Sequence, residues 1–369
     1  MLRSIVKNFF CCPKCISQID IDTEGNYFCK NCRSTYNVFN EIIDFRNIEG
    51  DQTKDFSIND DISLSKIMSE QYSKFKYFNG LYKLYVKLSS LNINSIHEKN
   101  IEIAVKDSLS NDVPLTKNQS NHGYDIVKKI KLYENEFNFE KHNDKVCLEN
   151  GCGLGLFVEG LSNNYKTLLV VDFSMCYLLL AKKICEEKNI LNTFLFCGSV
   201  ENLPLKENCV DLIHSNNVIE HVFNQGKMIK EVGRVLSEKG LLFLLSPNKN
   251  SAYFEPHFKI PFYGFIPFKV RYWLIKKFQK RDCTEVVPLS LNELKKIIQI
   301  NFKGKFNISF IPSKLKQTSQ SGFIRSLILS ILKQKLIGRI FSLFLNKIFL
   351  GIMPYHVVLA KKSDQKTNK

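Results

Sequence analysis

The 369-residue chain has no charge-free apolar run approaching the ~18 residues of a membrane-spanning helix. Its opening stretch, MLRSIVKNFFCC, holds no apolar core long enough for a signal peptide. The expectation is a cytoplasmic chain, at most peripheral to the inner face of a membrane. Acidic residues are scarce in the last third. Residues 256–369 hold 22 Lys/Arg against 4 Asp/Glu, a balance of +18; with the whole chain at +16, residues 1–255 sit at −2. So sharp a segregation fits a partner of negative charge: anionic lipid, a phosphate-bearing substrate or RNA. The bland alternative is a Lys- and Asn-rich composition with solvated faces.

Cysteine is not scarce. Of the 12 cysteines, four cluster near the N-terminus and others fall in candidate core strands, a distribution that a reducing compartment permits. The cluster is Cys12-Pro-Lys-Cys15 and Cys29-Lys-Asn-Cys32, two C-x-x-C knuckles flanking a hairpin. Such knuckles place four thiolates tetrahedrally, as in a structural zinc ribbon with no open coordination position. Cys11 is a spare neighbour of Cys12. Thiol–disulfide chemistry is the alternative, though one redox pair needs no second knuckle. Tyr36-Asn37-Val38 and Ile42 to Phe45 read as a last strand and a tether.

The chain is organised around VCLENGCGLG, residues 146–155. An apolar strand ends at an acid, and glycines follow at alternate positions before a helix. Glycines permit a sharp turn and close approach of a ligand. A second strand, Leu168 to Val171, again ends in an acid, Asp172, which suits the two hydroxyls of a ribose. Further strands read at Val210 to Ser215 and Leu241 to Ser246, with helices between them. This alternation predicts an α/β fold, a doubly wound and mainly parallel sheet of Rossmann-like type.

The ordered set LENGCGLG, VVDFS, ENLPL, DLIHSNNVIEHV, EVGRVL and LLFLLSPN resembles the class I S-adenosylmethionine-dependent methyltransferases, in the branch that includes the ubiquinone-biosynthesis O-methyltransferases. The spacing G-x-G-x-G differs from the G-x-G-x-x-G of dinucleotide dehydrogenases. The resemblance implies a seven-stranded sheet, with strands from Phe306 and Tyr355 paired antiparallel at its edge, and S-adenosyl-L-methionine as cofactor. It implies that Gly151, Gly153 and Gly155 line the methionine moiety, that Glu149 supports the turn, and that Asp172 accepts the ribose hydroxyls. Cys152 and Phe173 lie within these motifs. Ser199 stands where relatives commonly carry an Asp facing the adenine, with backbone at Val200 beside it; Asn216 and Asn217 would border the reacting centre. His221 and His257 are the candidate general bases. For His221 the structural reading is the stronger, and a lone loop histidine such as His257 is more often merely exposed.

The organisation expected is a zinc ribbon (1–48), a linker and helical cap (49–140) and a methyltransferase domain (141–369) with core 144–248 and insertions 249–290 and 313–352. Residues 47–63 read as a linker, 65–94 as an aromatic-rich helix packed on the core or, as the resemblance implies, lying across the cofactor mouth, and 95–122 as a long loop or disordered stretch. Within 322–350, apolar residues recur at helical spacing between lysines and arginines. They form either a cationic amphipathic segment for an anionic bilayer or a hairpin over the substrate mouth. Three functions follow: O-methylation of a small-molecule or lipid-linked acceptor, methylation of an rRNA base, or a non-catalytic scaffold. The ribbon resembles caps found ahead of some methyltransferases, including an rRNA guanine methyltransferase. Against the RNA reading, Asn–Pro–Pro–Tyr-like signatures are missing.

Overall fold

Chain order in a computed structural model explains which segments meet. It describes residues 2–22, 25–46, 57–91, 96–134, 144–251, 260, 263–279, 286–309 and 355–363. The N-terminal segment runs α1 (Leu2–Phe9), β1 (Ile19–Ile21), β2 (Tyr27–Cys29), β3 (Thr35–Tyr36), β4 (Val38–Phe39) and β5 (Ile42–Asp44). Four helices follow: α2 (Ile58–Gln71), α3 (Phe78–Ser89), α4 (Glu98–Leu109) and α5 (Lys117–Glu134). The central part alternates β6 (Val146–Asn150), α6 (Val158–Ser162), β7 (Thr167–Asp172), α7 (Met175–Glu187) and β8 (Thr193–Cys197). It continues with β9 (Val210–Asn216), α8 (Gln225–Val235), β10 (Leu236–Pro247), α9 (Phe268–Leu274), α10 (Leu291–Asn301), β11 (Gly304–Ser309) and β12 (Tyr355–Lys362).

Strands β6 to β10 are apolar because both faces of the sheet are covered. Along them the side chains alternate: Cys147, Leu212 and Phe243 join one core, Leu148, Ile213 and Leu244 the other. The sheet order is β11-β12-β10-β9-β6-β7-β8-β5-β4. β6 pairs parallel with β7 and β9, β7 with β8, and β9 with β10. Their C-terminal ends therefore share one edge, the edge where open α/β sheets bind ligands. β12 runs antiparallel to both β10 and β11.

The seven expected strands are all present, and two more extend the sheet. Ile43 and Asp44 of β5 pair parallel with Phe196 and Cys197 of β8, and β4 pairs antiparallel with β5. The stretch read as a tether is thus built into the main sheet. β1, β2 and β3 form a separate three-stranded sheet. Ribbon residues Tyr27 and Tyr36 pack in the same core as Phe45, Phe196, Val232 and Leu244.

Several motifs are explained by hydrogen bonds that join distant turns. Glu201 accepts the amides of Phe223 and Asn224, and Glu231 accepts that of Leu203. Arg234 donates to the carbonyls of Leu203 and Leu205, so the ENLPL loop is tied down by the EVGRVL helix. Ser174 caps α7, Asn224 caps α8, and Ser290 with Glu293 forms a capping box on α10.

The helices before β6 pack on the face opposite the ribbon. Phe75, Phe78, Leu81, Leu84 and Leu88 enter the core cluster that holds Leu178, Leu179 and Cys185 of α7. Glu187 of α7 accepts the amides of both Phe78 and Leu115, and Lys183 donates to the Phe75 carbonyl while lying 3.7 Å from the Tyr72 ring. Residues 98–109 and 117–122, expected in an unstructured stretch, are helical. Ala104, Val105 and Ser108 bury a narrow stripe that offsets an otherwise polar sequence.

Candidate active site and metal centre

The strand–turn–helix at 146–158 bends through three glycines with positive φ: Gly151 at 86°, Gly153 at 49° and Gly155 at 75°. They do different work. A Cβ on Gly151 would stand 2.5 Å from Val218, and one on Gly155 would stand 2.7 Å from Ala181. A Cβ on Gly153 would meet nothing within 4 Å. Two glycines therefore permit internal close packing, while Gly153 presents bare backbone to open space. The turn is held by the amides of Gly151 and Cys152, both donating to the Val171 carbonyl of the neighbouring strand. The Cys152 side chain is buried and its thiol pKa lies well above the ordinary value because of burial; its Sγ lies 3.5 Å from the Gly153 carbonyl.

Asp172 ends β7 beside this turn. Its carboxylate accepts the Gly153 amide at 2.8 Å and the Ser174 amide at 2.9 Å. Each oxygen thus keeps a lone pair for a further donor. Burial raises its pKa to about 6 against the opposing pull of those two amides. At neutral pH it is mainly an anion with acceptor capacity, the state a vicinal diol needs.

Around the same edge stand the other residues singled out in the sequence. Phe173 offers its carbonyl to Arg46 and to the Cys197 thiol. Ser199 Oγ accepts the Glu201 amide, and Val200 is buried next to it. Asn216 closes β9, and Asn217 follows with φ 56° and its amide on the Leu245 carbonyl. The buried Oδ1 atoms of Asn216 and Asn217 have no hydrogen-bond partner. Bare backbone at Gly153, a buried carboxylate and two orphaned amide oxygens fit a polar nucleoside-bearing ligand.

Residues 148–244 match the methyltransferase-domain family model. A probable S-adenosylmethionine-dependent methyltransferase of Mycobacterium tuberculosis is 26% identical over 102 residues, 28% of this chain and 35% of the relative.

Residues 148–244 carry a methyltransferase domain, similar to those of S-adenosylmethionine-dependent enzymes.

An uncharacterised protein of Methanocaldococcus jannaschii resembles the domain at 36% identity over 113 residues, 31% of this chain and 45% of the relative. A ubiquinone biosynthesis O-methyltransferase of Coxiella burnetii is 31% identical over 106 residues, 29% of this chain and 45% of the relative. The chain thus spans less than half the length of these curated relatives. Among solved structures, the YcgJ protein of Bacillus subtilis superposes with a TM-score of 0.41 at 17% identity, over 66% of this chain and 99% of that one.

Beneath the methyltransferase domain's glycine turn lies a pair that sequence reading missed. Glu149 and His214 face each other from neighbouring strands and are joined through Oε2 and Nδ1, both side chains essentially without solvent contact. Burial raises the Glu149 pKa, opposed by the imidazole. Phe157 lies edge-on to the His214 ring at 5.0 Å, and Phe243 stacks on it at 5.7 Å. The available signal was alternation: His214 shares the strand face of Leu212 and sits opposite Glu149 in register.

Asp61, read as a linker acid, is a second omission. It is buried, accepts the amides of Met175 and Cys176 at the start of α7, and accepts the Ser174 hydroxyl. Arg46 reaches it at 2.7 Å while gripping Asp44 with a second arm.

The two base candidates divide. His221 lies in the turn before α8, 25% exposed, with Nε2 3.9 Å from Glu220 Oε1. His257 and the segment 322–350 lie outside the described residues.

In the N-terminal segment, Cys12, Cys15, Cys29 and Cys32 bring their sulfurs within 4.8 Å of one another. The knuckles share one backbone design. Cys12 donates its amide to Ser17 and accepts from Ile16; Cys29 donates to Ser34 and accepts from Arg33. Ile16 and Arg33 both adopt φ 61°, a costly conformation for a β-branched residue such as isoleucine. The Tyr36 hydroxyl lies 2.9 Å from Cys12 Sγ, and the Ser34 hydroxyl 3.2 Å from Cys32 Sγ. Hydrogen bonds from Ser17 and Asn31 lower the Cys15 thiol to about 5, whereas burial pushes Cys12 up to about 12. A soft divalent cation would supply the charge that lets all four ionise.

Proposed function

We propose that the chain transfers a methyl group from S-adenosyl-L-methionine to an oxygen of a small-molecule or lipid-linked acceptor, with a structural zinc in its ribbon. The observation that carries the reading is the Asp172 carboxylate: buried, anchored by Gly153 and Ser174, and still able to accept from two hydroxyls. When bound, the cofactor supplies an electrophilic methyl on a sulfonium whose leaving group is a neutral thioether.

The chain's own residues then have little pushing to do. Their work is alignment and exclusion of water. Asp172 holds the ribose hydroxyls, and Gly153 with its neighbours admits the methionine portion against bare backbone. Glu149 and His214 brace that turn from below. Ser199 and Val200 flank the adenine, with a neutral hydroxyl where relatives commonly use a carboxylate. Asn216 and Asn217 offer amide groups to the acceptor. His221 or His257 takes the proton of a hydroxyl acceptor.

O-methylation is supported by the likeness to the Coxiella ubiquinone-biosynthesis O-methyltransferase. A lipid-linked acceptor is supported by the basic last third and the amphipathic pattern of 322–350. Among the described residues no helix is long and apolar enough to cross a membrane. RNA is the second reading, favoured by the clustered cysteines ahead of a basic chain end. Incubation with methyl-labelled cofactor and fractionated lysate separates the two. Label in the lipid or small-metabolite fraction supports the proposal; label confined to RNA, or none in any fraction, contradicts it.

A further inference from the structure

The four-cysteine centre and the acid that faces the nucleoside are joined by one continuous line of contacts. Cys12 Sγ lies 2.9 Å from the Tyr36 hydroxyl, and the Tyr36 ring lies 5.0 Å from the Phe45 ring. Phe45 also contacts Phe10 at 5.4 Å and donates its amide to Cys197 at the end of β8. The next residue, Arg46, has a side chain 1% exposed. Its Nε and Nη2 grip the two oxygens of Asp44, and Nη1 reaches both Asp61 and the Phe173 carbonyl. Asp61 in turn holds the Ser174 hydroxyl and the amides of Met175 and Cys176. Ser174 and Gly153 hold the two oxygens of Asp172.

We infer that Arg46 and Asp61 are positioning residues for the nucleoside site, and that through them metal at the four cysteines sets nucleoside affinity. The inference rests on the two readings above, zinc at the ribbon and S-adenosylmethionine at Asp172. Its physical basis is that the loop Asp172–Ser174 is fixed from behind by groups outside the methyltransferase domain. Arg46 is a buried fork with no slack: every arm has an acceptor, so a shift in its backbone breaks a charge-assisted bond. That backbone is the exit of the ribbon. Small metal-bound ribbons order when the ion binds and loosen when it leaves. The ribbon is thus the element with two states, and the Arg46–Asp61 pair delivers its state to Phe173 and Ser174. Coupling of this kind is reciprocal: the nucleoside must tighten zinc by the factor by which zinc tightens the nucleoside.

The test titrates the full chain with S-adenosylhomocysteine by calorimetry, zinc-loaded and after removal of the ion by a chelator, alongside Arg46→Met and Asp61→Asn. Chelation is expected to weaken wild-type binding about tenfold, within the usual span of coupling between sites. Both variants, still holding zinc and still folded by circular dichroism, are expected to bind weakly with or without the ion. Arg46→Lys, which keeps the charge but not the fork, recovers part of the affinity. Should Arg46→Met or Asp61→Asn fail to fold, Asp44→Asn removes one arm at a half-exposed position and carries the same comparison. A merely structural role would lower the melting temperature and leave the ratio of the two affinities at its wild-type value. That result, or equal wild-type affinities with and without zinc, overturns the inference. Zinc-loaded protein that ignores S-adenosylhomocysteine overturns the cofactor reading beneath it, and protein that takes up no zinc overturns the metal reading; the three failures are distinct.

Discussion

Ala181 of α7 is packed against the bend at Gly155, so closely that a Cβ on the glycine would lie 2.7 Å from the alanine Cβ. The helix that carries the Asp172–Ser174 loop at its start is therefore locked to the glycine turn halfway along its length. Gly153, two residues earlier, has the opposite surroundings, with nothing within 4 Å of such a Cβ.

The contrast separates packing from binding. Gly155→Ala combines a left-handed backbone with a clash, a loss of about 2–4 kcal/mol from strain and overpacking together. Urea unfolding should show it as a lower midpoint at unchanged slope. Gly153→Ala should cost only about 1 kcal/mol for its backbone conformation, yet weaken S-adenosylhomocysteine binding at least tenfold by placing a methyl in the cleft. Parallel calorimetry and unfolding curves check both. Equal damage to both properties in both variants would contradict the assignment.

Nucleoside affinity should follow the ionisation of Asp172. Its pKa in the unliganded protein is raised to about 6, chiefly by burial. Only the ionised form accepts from both hydroxyls without first losing a proton. Affinity should be flat above pH 7 and fall as pH drops below about 6, approaching tenfold per unit until the complex itself protonates. Fluorescence or calorimetric titration between pH 5 and 8 measures the slope. An affinity that rises on acidification would reverse the sign and refute the role.

His214 keeps company with a buried carboxylate. His214→Phe would remove the hydrogen-bond partner that Glu149 has among the described residues and leave an uncompensated acid, a loss of about 3–5 kcal/mol at neutral pH. The pKa of Glu149 is already raised by burial, so protonation favours the native state and its penalty grows as pH rises. The deficit of the variant relative to wild type should therefore shrink between pH 8 and pH 5. Urea midpoints across that range test it, and a deficit that widens toward pH 5 would exclude the paired arrangement.

Purified protein should hold about one zinc per chain, and Cys15→Ser or Cys29→Ser should abolish it, since structural zinc sites use four ligands. Because Tyr27, Tyr36 and Phe45 share a core with Phe196 and Val232, losing the ion should also lower the melting temperature of the whole chain. Elemental analysis with a thermal scan decides this. Stable, zinc-free protein would leave the cysteines without their proposed role.

Much of this was legible in the chain. The strands that carry Glu149 and Asp172, the glycine spacing and the two cysteine knuckles are local patterns, and local patterns survive in sequence. What escaped reading depends on distant partners. Ile42–Asp44 is three residues long, and only the exposed edge of β8 makes it a strand of the main sheet. Residues 98–109 carry too few apolar side chains to announce a helix; packing against α3 supplies what propensity lacks. Asp61 sits among polar neighbours that look like linker, and its burial follows from the free amides of Met175 and Cys176 at the start of α7, 114 and 115 residues away along the chain. His214 reads as one more strand residue until Glu149 stands across from it.

The central claim is that a carboxylate at the end of the second core strand holds a nucleoside against the glycine turn. Calorimetric titration of wild-type protein and Asp172→Asn with S-adenosylhomocysteine at pH 7.5 tests it most directly. The account predicts one site in the wild type and a loss of affinity of about 2 kcal/mol or more in the variant, as expected for a charged acceptor of two hydrogen bonds. Indistinguishable binding by the two proteins, or none by the wild type, would contradict it.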